Sequence, residues 1–215
     1  MVCVAIVANG PRDALPDLTD YSGEVDIWIG ADLGATYIIE AGMKLDYALG
    51  DFDSVDKLQK NLIEKHASNY KAYPDEKDET DLEIALNKAI ELNPQKVYLF
   101  AVTGGRLDHT LVNVQALYLL LEKGIRGIIV DNLNELEVTK PGSYTVQENG
   151  RYPNISFLPL TNSVTGLTLQ GFYYPLKAAT ISLGSTRCIS NKLISNSGTF
   201  SYTEGILILV KSRDS

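Results

Sequence analysis

The sequence has few of the side chains that build metal clusters, disulfide frameworks or nucleophilic triads. Its 215 residues include two histidines, His66 and His109, and two cysteines, Cys3 and Cys188. Two histidines cannot form a histidine-rich metal site, and no Ser/His/Asp or Cys/His arrangement is apparent. Two cysteines make no disulfide framework. We expect both as small buried side chains in a protein of the reducing cytoplasm.

Long apolar runs and an excess of positive charge are also missing. The apolar segment 1–8 is too short to cross a membrane, and Asn9-Gly10-Pro11 follow it in place of a cleavage site of small residues. We therefore interpret it as a buried strand and expect no membrane partner. The formal net charge of −8 disfavours a general nucleic-acid surface. An anionic substrate would need a metal ion and local cations to be held.

Two common nucleotide-binding signatures are absent as well. The sequence has no G-x-x-x-x-G-K-[ST], which disfavours a P-loop NTPase. It has no G-x-G-x-x-G, which disfavours a dinucleotide oxidoreductase.

The sequence does contain a change in the pattern of predicted secondary structure near residue 131. Up to that point, apolar runs at 2–8, 25–30, 47–49, 69–73, 96–102 and 126–130 alternate with helical patterns, which predicts a Rossmann-like, mostly parallel sheet with flanking helices. Beyond it come short β-rich runs at 136–139, 144–147, 155–158, 164–169, 179–183, 192–195 and 205–210. We predict an α/β domain over 1–131 and an antiparallel β-sandwich over 132–215.

The stretch Gly50-Asp51-Phe52-Asp53-Ser54 follows the third predicted strand. In extended backbone, residues two apart point the same way, so Asp51 and Asp53 would face one point while Phe52 turns into the fold. Converging carboxylates repel unless a cation lies between them, and Mg²⁺ takes oxygen ligands while leaving positions for phosphates. The alternative is a plain strand-to-helix loop, with Ser54 capping the helix and the acids favouring its N-terminus.

Other acids are expected at the same edge of the sheet, because ligands of parallel sheets bind at the carboxyl ends of strands. Asp32 follows the second predicted strand. Thr80 and Glu83 match a capping box at the start of a helix, and Asp81 is the first residue of that helix. Asp81 could equally be a helix-dipole acid with no other role.

Gly104 and Gly105 precede a predicted helix, where backbone N–H groups can approach phosphate oxygens. Arg106 adds a guanidinium fork suited to phosphate. The alternative is an ordinary loop with a surface arginine, which would have the same sequence pattern. His109, beside this loop, is expected to position rather than to transfer protons. Lys77 lies among acids at 74–81, either as a solvated charge or as a cation that holds a phosphate.

Several stretches, in the same order along the chain, resemble the thiamine pyrophosphokinase family in its bacterial form. They are GDFDSV at 50–55, PDEKDETDLEIAL at 74–86, TGGRLDHTLVN at 103–113, GFYYPL at 171–176, SLGSTRCISN at 182–191 and ISNSG at 194–198. The resemblance implies an α/β catalytic domain followed by a β-sandwich domain. It also implies a homodimer whose active sites lie between the first domain of one subunit and the second domain of the other.

The activity implied is transfer of a diphosphate group from ATP to the hydroxyl of thiamine, giving thiamine diphosphate and AMP. Residue by residue, the resemblance assigns Mg²⁺ to Asp51, Asp53 and Asp81, with Asp32 beside them. It assigns the nucleotide and phosphates to Thr80, Lys77, Arg106 and Asp108, together with Gly104, Gly105 and His109. It assigns thiamine to Ser195 and Asn196.

The sequence departs from the family pattern in two places. Leu33 follows Ala31-Asp32 where the family usually has glycine, and Ser197-Gly198 stand where many relatives have an acid and an aromatic residue. We expect Trp28 in the core, which leaves Phe200 or Tyr202 as a candidate to stack on thiamine.

Two other functions stay open at this point. The Asp-Phe-Asp-Ser stretch could belong to a phosphatase with an aspartyl nucleophile, but such enzymes usually carry it after their first strand. A phosphatase would release phosphate from a monoester without ATP. A regulatory module that binds thiamine or a nucleotide would show no turnover.

Overall fold

The computed structural model describes residues 2–74, 76 and 78–214. Lys77, a predicted phosphate ligand, lies outside the described residues. The chain divides into two compact units, one ending at Asn132 and one beginning at Leu133. Within the described residues, no helix is both long and apolar enough to cross a membrane.

The described part of the first unit contains six strands that pair in parallel, in the order β4-β3-β2-β1-β5-β6. These are β1 (Cys3–Val7), β2 (Ile27–Ala31), β3 (Tyr47–Gly50), β4 (Asn69–Ala72), β5 (Lys96–Phe100) and β6 (Arg126–Val130). Its helices are α1 (Gly34–Glu40), α2 (Lys57–His66), α3 (Asp81–Glu91) and α4 (Leu107–Glu122), with short 3-10 helices at Arg12–Ala14 and Leu18–Tyr21. The strand order reverses between β1 and β5, and such a switch point is where open α/β sheets bind ligands.

The continuous apolar runs form the centre of this sheet, as predicted. Val4 and Ile6 of β1 have no exposed surface, which fits a parallel strand covered on both faces. Trp28 of β2 is buried, as expected. Gly34 brings the start of α1 against the end of β1, because a Cβ there would lie 1.9 Å from the Val7 carbonyl oxygen. Position 34 therefore leaves no room for any side chain and requires glycine.

The second unit is an antiparallel β-sandwich, which confirms the predicted fold class. One sheet has the order β7-β13-β9 and the other β11-β10-β12-β8. The strands are β7 (Asn134–Thr139), β8 (Gly142–Gln147), β9 (Asn154–Pro159), β10 (Ser163–Gln170), β11 (Leu176–Ser182), β12 (Ser197–Tyr202) and β13 (Leu207–Ser212). Side chains of both sheets, among them Phe157 of β9 and Phe200 of β12, share one buried apolar cluster.

Two local predictions are wrong. The run at 192–195 is not a strand: Leu193 makes only an isolated bridge with Phe172, and the strand of this region is β12, which begins at Ser197. Ser54 does not cap α2, because Asp56 does so. The Asp56 carboxylate accepts from the Gln59 N–H at 2.8 Å, and the Gln59 side chain accepts from the Asp56 N–H at 3.0 Å.

Candidate active site

Three carboxylates meet beyond the carboxyl ends of β2 and β3. Asp32, Asp51 and Asp53 each offer an oxygen, and these oxygens all lie within 4.8 Å of one another. Asp32 is buried, Asp51 is half-buried and Asp53 is exposed. The group therefore extends from the interior to the surface of the protein. We call these three residues the aspartate cluster.

The backbone of the aspartate cluster is a turn and not the extended strand that we predicted. Phe52 has φ +58°, a left-handed conformation that is uncommon for a bulky residue. Its side chain is buried, as expected, and its ring stacks on that of Tyr70. The Asp53 N–H donates to Asp51 Oδ1 at 3.2 Å. The two carboxylates thus converge because the turn is anchored at Phe52.

A close backbone approach brings Asp32 to this turn. The Asp32 N–H donates to the Leu49 carbonyl at 2.9 Å. Gly50 has φ +151°, and a Cβ on it would lie 3.1 Å from the Asp32 nitrogen. Gly50 is therefore required both by its conformation and by the proximity of Asp32.

The two oxygens of the Asp32 carboxylate differ. Oδ2 accepts from the side-chain amide of Asn9 at 3.2 Å. Oδ1 is buried and has no hydrogen-bond partner among the described residues. Burial raises the pKa of Asp32, and the charges of Asp81 and Asp51 raise it further, whereas the nearby Ser54 hydroxyl lowers it.

This arrangement fits a hard divalent cation. A buried carboxylate oxygen without a donor is costly, and a cation would satisfy it. The three carboxylates that converge here offer oxygen, which is the ligand atom that Mg²⁺ prefers. Asp81, the fourth predicted metal ligand, is outside the group defined by the 4.8 Å distance, but its charge acts on Asp32.

A cavity of about 590 Å³ adjoins Asp32 and is bordered by the loops after β1, β2 and β5. Its volume is within the range of small-molecule sites. Thr80 at its border caps α3, as predicted, by accepting from the Glu83 N–H at 3.2 Å. The predicted site residues that line the cavity are Asp32, Thr80, Asp81, Gly105, Arg106 and His109.

Arg106 and Asp108 form an ion pair at the start of α4. The guanidinium donates to both carboxylate oxygens, from Nη2 at 2.6 Å and from Nε at 3.2 Å. The hydrogen bond between them raises the pKa of Arg106 and lowers the pKa of Asp108. Gly104, with φ +83°, lets this loop pass close to Ala14, to whose Cβ an added Cβ would lie 3.0 Å.

In the second unit, Ser195 and Asn196 are exposed in the segment just before β12. The Ser195 hydroxyl donates to the Ser197 carbonyl at 3.1 Å, and the Asn196 carbonyl accepts from the Glu148 N–H at 2.8 Å. These hydrogen bonds therefore fix the position of the surface segment that contains both residues.

The two aromatic side chains suggested for stacking on thiamine are buried. Phe200 and Tyr202 are 1% and 3% exposed, so neither can offer a ring face to a ligand. The exposed rings are instead Tyr173 and Tyr174, at 66% and 61%. The Tyr173 N–H donates to the Lys192 carbonyl at 2.8 Å, which ties this aromatic pair to the segment that leads to Ser195.

Sequence reasoning also missed a polar residue at the aspartate cluster. Asn9 follows β1, and its amide donates to Asp32 and, at 3.2 Å, to the Ser54 hydroxyl. Its position after a strand was the available signal, the same one that selected Asp32. The sequence Asn-Gly-Pro is also typical of a loop, which accounts for Asn9 without any role in the site.

Comparison with known proteins covers both units. A family model described as "Thiamin pyrophosphokinase, catalytic domain" matches residues 18–129, and one described as "Thiamin pyrophosphokinase, vitamin B1 binding domain" matches residues 143–207. The chain is 44% identical to thiamine pyrophosphokinase of Bacillus subtilis (strain 168) over 216 residues, which cover 100% of both chains.

Solved structures agree with these matches. The crystal structure of the Bacillus subtilis thiamine pyrophosphokinase superposes with a TM-score of 0.93 at 42% identity, covering 99% of this chain and 100% of that one. The thiamin pyrophosphokinase of Geobacillus thermodenitrificans gives a TM-score of 0.88 at 45% identity, covering 100% of this chain and 99% of that one.

Proposed function

The chain belongs to the thiamine pyrophosphokinase family, and we infer that it catalyses the ATP-dependent formation of thiamine diphosphate. It is a transferase with ATP as co-substrate and thiamine as acceptor. The hydroxyl oxygen of thiamine attacks the β-phosphorus of ATP, and the hydroxyl proton is released to solvent. The bond from that phosphorus to the oxygen that bridges to the α-phosphorus breaks, and AMP leaves with that oxygen.

We propose that the aspartate cluster holds Mg²⁺, with Asp81 beside it. The observation that carries this proposal is the buried Asp32 Oδ1, which has no hydrogen-bond partner among the described residues and lies beside Asp51 and Asp53. A bound Mg²⁺ would neutralise phosphate charge and orient the diphosphate. The fold contributes by holding three carboxylates close together although their negative charges repel one another.

We propose that the ATP phosphates lie in the cavity beside the aspartate cluster. Arg106 can present to a phosphate the guanidinium edge that does not face Asp108, which is Nη1 with the second hydrogen of Nη2. Asp108, on the other edge, holds the guanidinium in one orientation. Gly104 and Gly105 let backbone N–H groups come close at the start of α4. Thr80 and His109 complete the border, and Lys77 remains a prediction from the sequence. Such a site acts by positioning and charge neutralisation, which is the main requirement of phosphoryl-type transfer.

We propose that the first unit is the catalytic domain for ATP and Mg²⁺ and that the second unit binds thiamine. Ser195 and Asn196 offer exposed polar groups, and Tyr173 and Tyr174 offer exposed rings next to the same segment. The thiazolium of thiamine is a cation, and aromatic faces attract cations.

We propose further that the chain forms a homodimer with active sites shared between subunits. The apolar side chains that α4 exposes support an interface: Leu107, Leu111, Val112 and Leu119 are each more than half exposed. Mixing Asp51→Asn protein with Asn196→Ala protein tests the sharing. A mixed dimer would then contain one intact site, so at a thiamine concentration below the raised KM of Asn196→Ala the activity of the mixture should exceed that of either variant alone. Activity that stays at the level of the separate variants would contradict a shared site.

We propose the cytoplasm as the location. Cys3 and Cys188 are both free and buried, and burial raises the pKa of the Cys3 thiol to about 11, so it is an unreactive thiol. Cell fractionation with an antibody to the chain would test this, and recovery outside the cytoplasmic fraction would contradict it.

The direct test of the activity is a product assay with Mg²⁺, thiamine and ATP. Thiamine diphosphate and AMP in equal amounts would confirm attack at the β-phosphorus. Thiamine monophosphate with ADP would mean attack at the γ-phosphorus by the same site. Binding of either ligand with no product would mean a regulatory module.

A further inference from the structure

A single side-chain amide connects two members of the aspartate cluster. Asn9 Nδ2 donates to Asp32 Oδ2 and to Ser54 Oγ, each at 3.2 Å. The Ser54 hydroxyl in turn donates to Asp53 Oδ1 at 3.0 Å. Asp32 follows β2 and Asp53 follows β3, so the amide at the end of β1 spans the loops of two neighbouring strands.

The consequence of this bridge is clearest at Asp32. Its carboxylate can rotate about the last side-chain bond, which has a broad energy profile. The hydrogen bond from Asn9 fixes Oδ2 and thereby decides that Oδ1 is the buried oxygen without a partner among the described residues. At Asp53 the hydrogen bond from Ser54 occupies Oδ1 in the same way.

The chemistry of asparagine suits this position. Its amide offers two N–H donors and carries no charge. An aspartate here would add a further negative charge beside Asp32 and donate nothing. A lysine would place a cation where the carboxylates otherwise attract a metal ion.

We propose that Asn9 is a positioning residue of the cation site, which orients Asp32 directly and Asp53 through Ser54. This inference rests on the proposed Mg²⁺ site. Carboxylates that ligate metals are themselves held by hydrogen bonds, and loss of such outer partners typically weakens metal affinity by about 10- to 100-fold.

The competing explanation is that Asn9 only joins two loops for stability. The backbone of its loop is held without the Asn9 side chain, because the Gly10 N–H donates to the Ala101 carbonyl at 2.7 Å. Asn9 is also exposed. Removal of its side chain should therefore leave the fold in place.

The experiment measures Mn²⁺ affinity by electron paramagnetic resonance, with the full chain and without ATP or thiamine. The proteins are wild type, Asn9→Ala, Ser54→Ala, the double variant and Asp51→Asn. Asn87→Ala is the matched control, because its amide also donates to a carboxylate at 3.2 Å, that of Glu79, away from the aspartate cluster. Thermal unfolding in EDTA reports stability separately from metal binding.

We expect Asn9→Ala and Ser54→Ala each to weaken Mn²⁺ binding by about 10-fold or more, while Asn87→Ala binds as wild type does. The double variant should lose less than the product of the two single effects, since both act through one bridge. All variants should unfold in EDTA at temperatures close to wild type.

One result would overturn the role of Asn9, and another would overturn the cation site itself. Wild-type Mn²⁺ affinity in both Asn9→Ala and Ser54→Ala, with weakened binding in Asp51→Asn, would overturn the role of Asn9 and leave the cation site intact. No Mn²⁺ binding by wild type, or equal binding by Asp51→Asn, would overturn the cation site itself.

Discussion

The ring of Phe52 stacks on the ring of Tyr70, with centroids 4.9 Å apart and planes inclined by 21°. Phe52 lies between Asp51 and Asp53, and Tyr70 lies on β4, the edge strand of the first unit. Phe52 also has a left-handed backbone, which the surrounding contacts must maintain. The stacked pair therefore holds the turn that makes the two carboxylates converge.

Replacing Phe52 with alanine should lower the free energy of unfolding by about 3–5 kcal/mol, the usual cost for a buried phenylalanine. The variant should also need more Mg²⁺ for half-maximal activity, because the turn loses its anchor. Urea unfolding and a Mg²⁺ activation curve measure the two effects. Phe52→Leu is the control and should lose less stability. An unchanged Mg²⁺ requirement in Phe52→Ala would contradict the anchoring role.

Asp32→Asn should stabilise the protein in EDTA while abolishing activity. The raised pKa of Asp32 means that the folded chain holds this proton more tightly than the unfolded chain. Stability of the wild type in EDTA should therefore fall as the pH rises from the ordinary aspartate range through the raised pKa. A gain of about 1 kcal/mol would raise the midpoint of thermal unfolding by roughly 2–4 °C.

Thermal unfolding of both proteins across this pH range measures the effect. Asp32→Asn should lack this part of the pH dependence. Mg²⁺ affinity of the wild type should fall as the pH is lowered through the same range, because a ligand carboxylate must be ionised. A variant that is less stable than wild type in EDTA at neutral pH would contradict the cost that we assign to burying the ionised Asp32 carboxylate.

Arg106→Ala should raise the KM for ATP and leave the KM for thiamine nearly unchanged. A hydrogen bond to a charged group contributes about 1.5–3 kcal/mol, which is roughly 10- to 100-fold in kcat/KM for ATP. Arg106→Lys should restore only part of the loss, since lysine cannot form the two-pronged contact. Steady-state kinetics with each substrate varied in turn would decide, and an effect mainly on thiamine would be contrary to this assignment.

Ser195→Ala and Asn196→Ala should raise the KM for thiamine more than the KM for ATP. Tyr174→Ala should act in the same direction if its exposed ring meets the thiamine cation. Thr199→Ala, at an exposed position of the neighbouring β12, is the control and should behave as wild type. The reverse pattern, with ATP affected more, would remove these residues from the thiamine site.

The sequence was sufficient for the fold class because burial leaves a direct pattern. Continuous apolar runs mark strands covered on both faces, and these runs became the central strands of the first unit. The second unit was predicted from short strands between turn residues. The strand β12 was missed because Ser195-Asn196-Ser197-Gly198 has the composition of a turn, although Gly198, Phe200 and Tyr202 alternate inward.

The site was harder to predict where several residues could do the same thing. Ser54 and Asp56 are both good helix caps, and only the presence of Gln59 three residues after Asp56 distinguishes them. Phe200 is as aromatic as Tyr174, so only burial, a tertiary property, separates a core ring from an exposed one. The role of Asn9 depends on two strands that lie far apart in sequence and meet only in the sheet.

The measurement that tests the account most directly is the kcat of Asp51→Asn and Asp53→Asn under saturating ATP, thiamine and Mg²⁺. Asp56→Asn is the control, an acid of the same loop that caps α2. The account predicts that kcat falls roughly a hundredfold in both cluster variants, about 3 kcal/mol of lost stabilisation, with circular dichroism unchanged and Asp56→Asn close to wild type. Near-normal turnover in both cluster variants would contradict the assignment of Mg²⁺ to these aspartates.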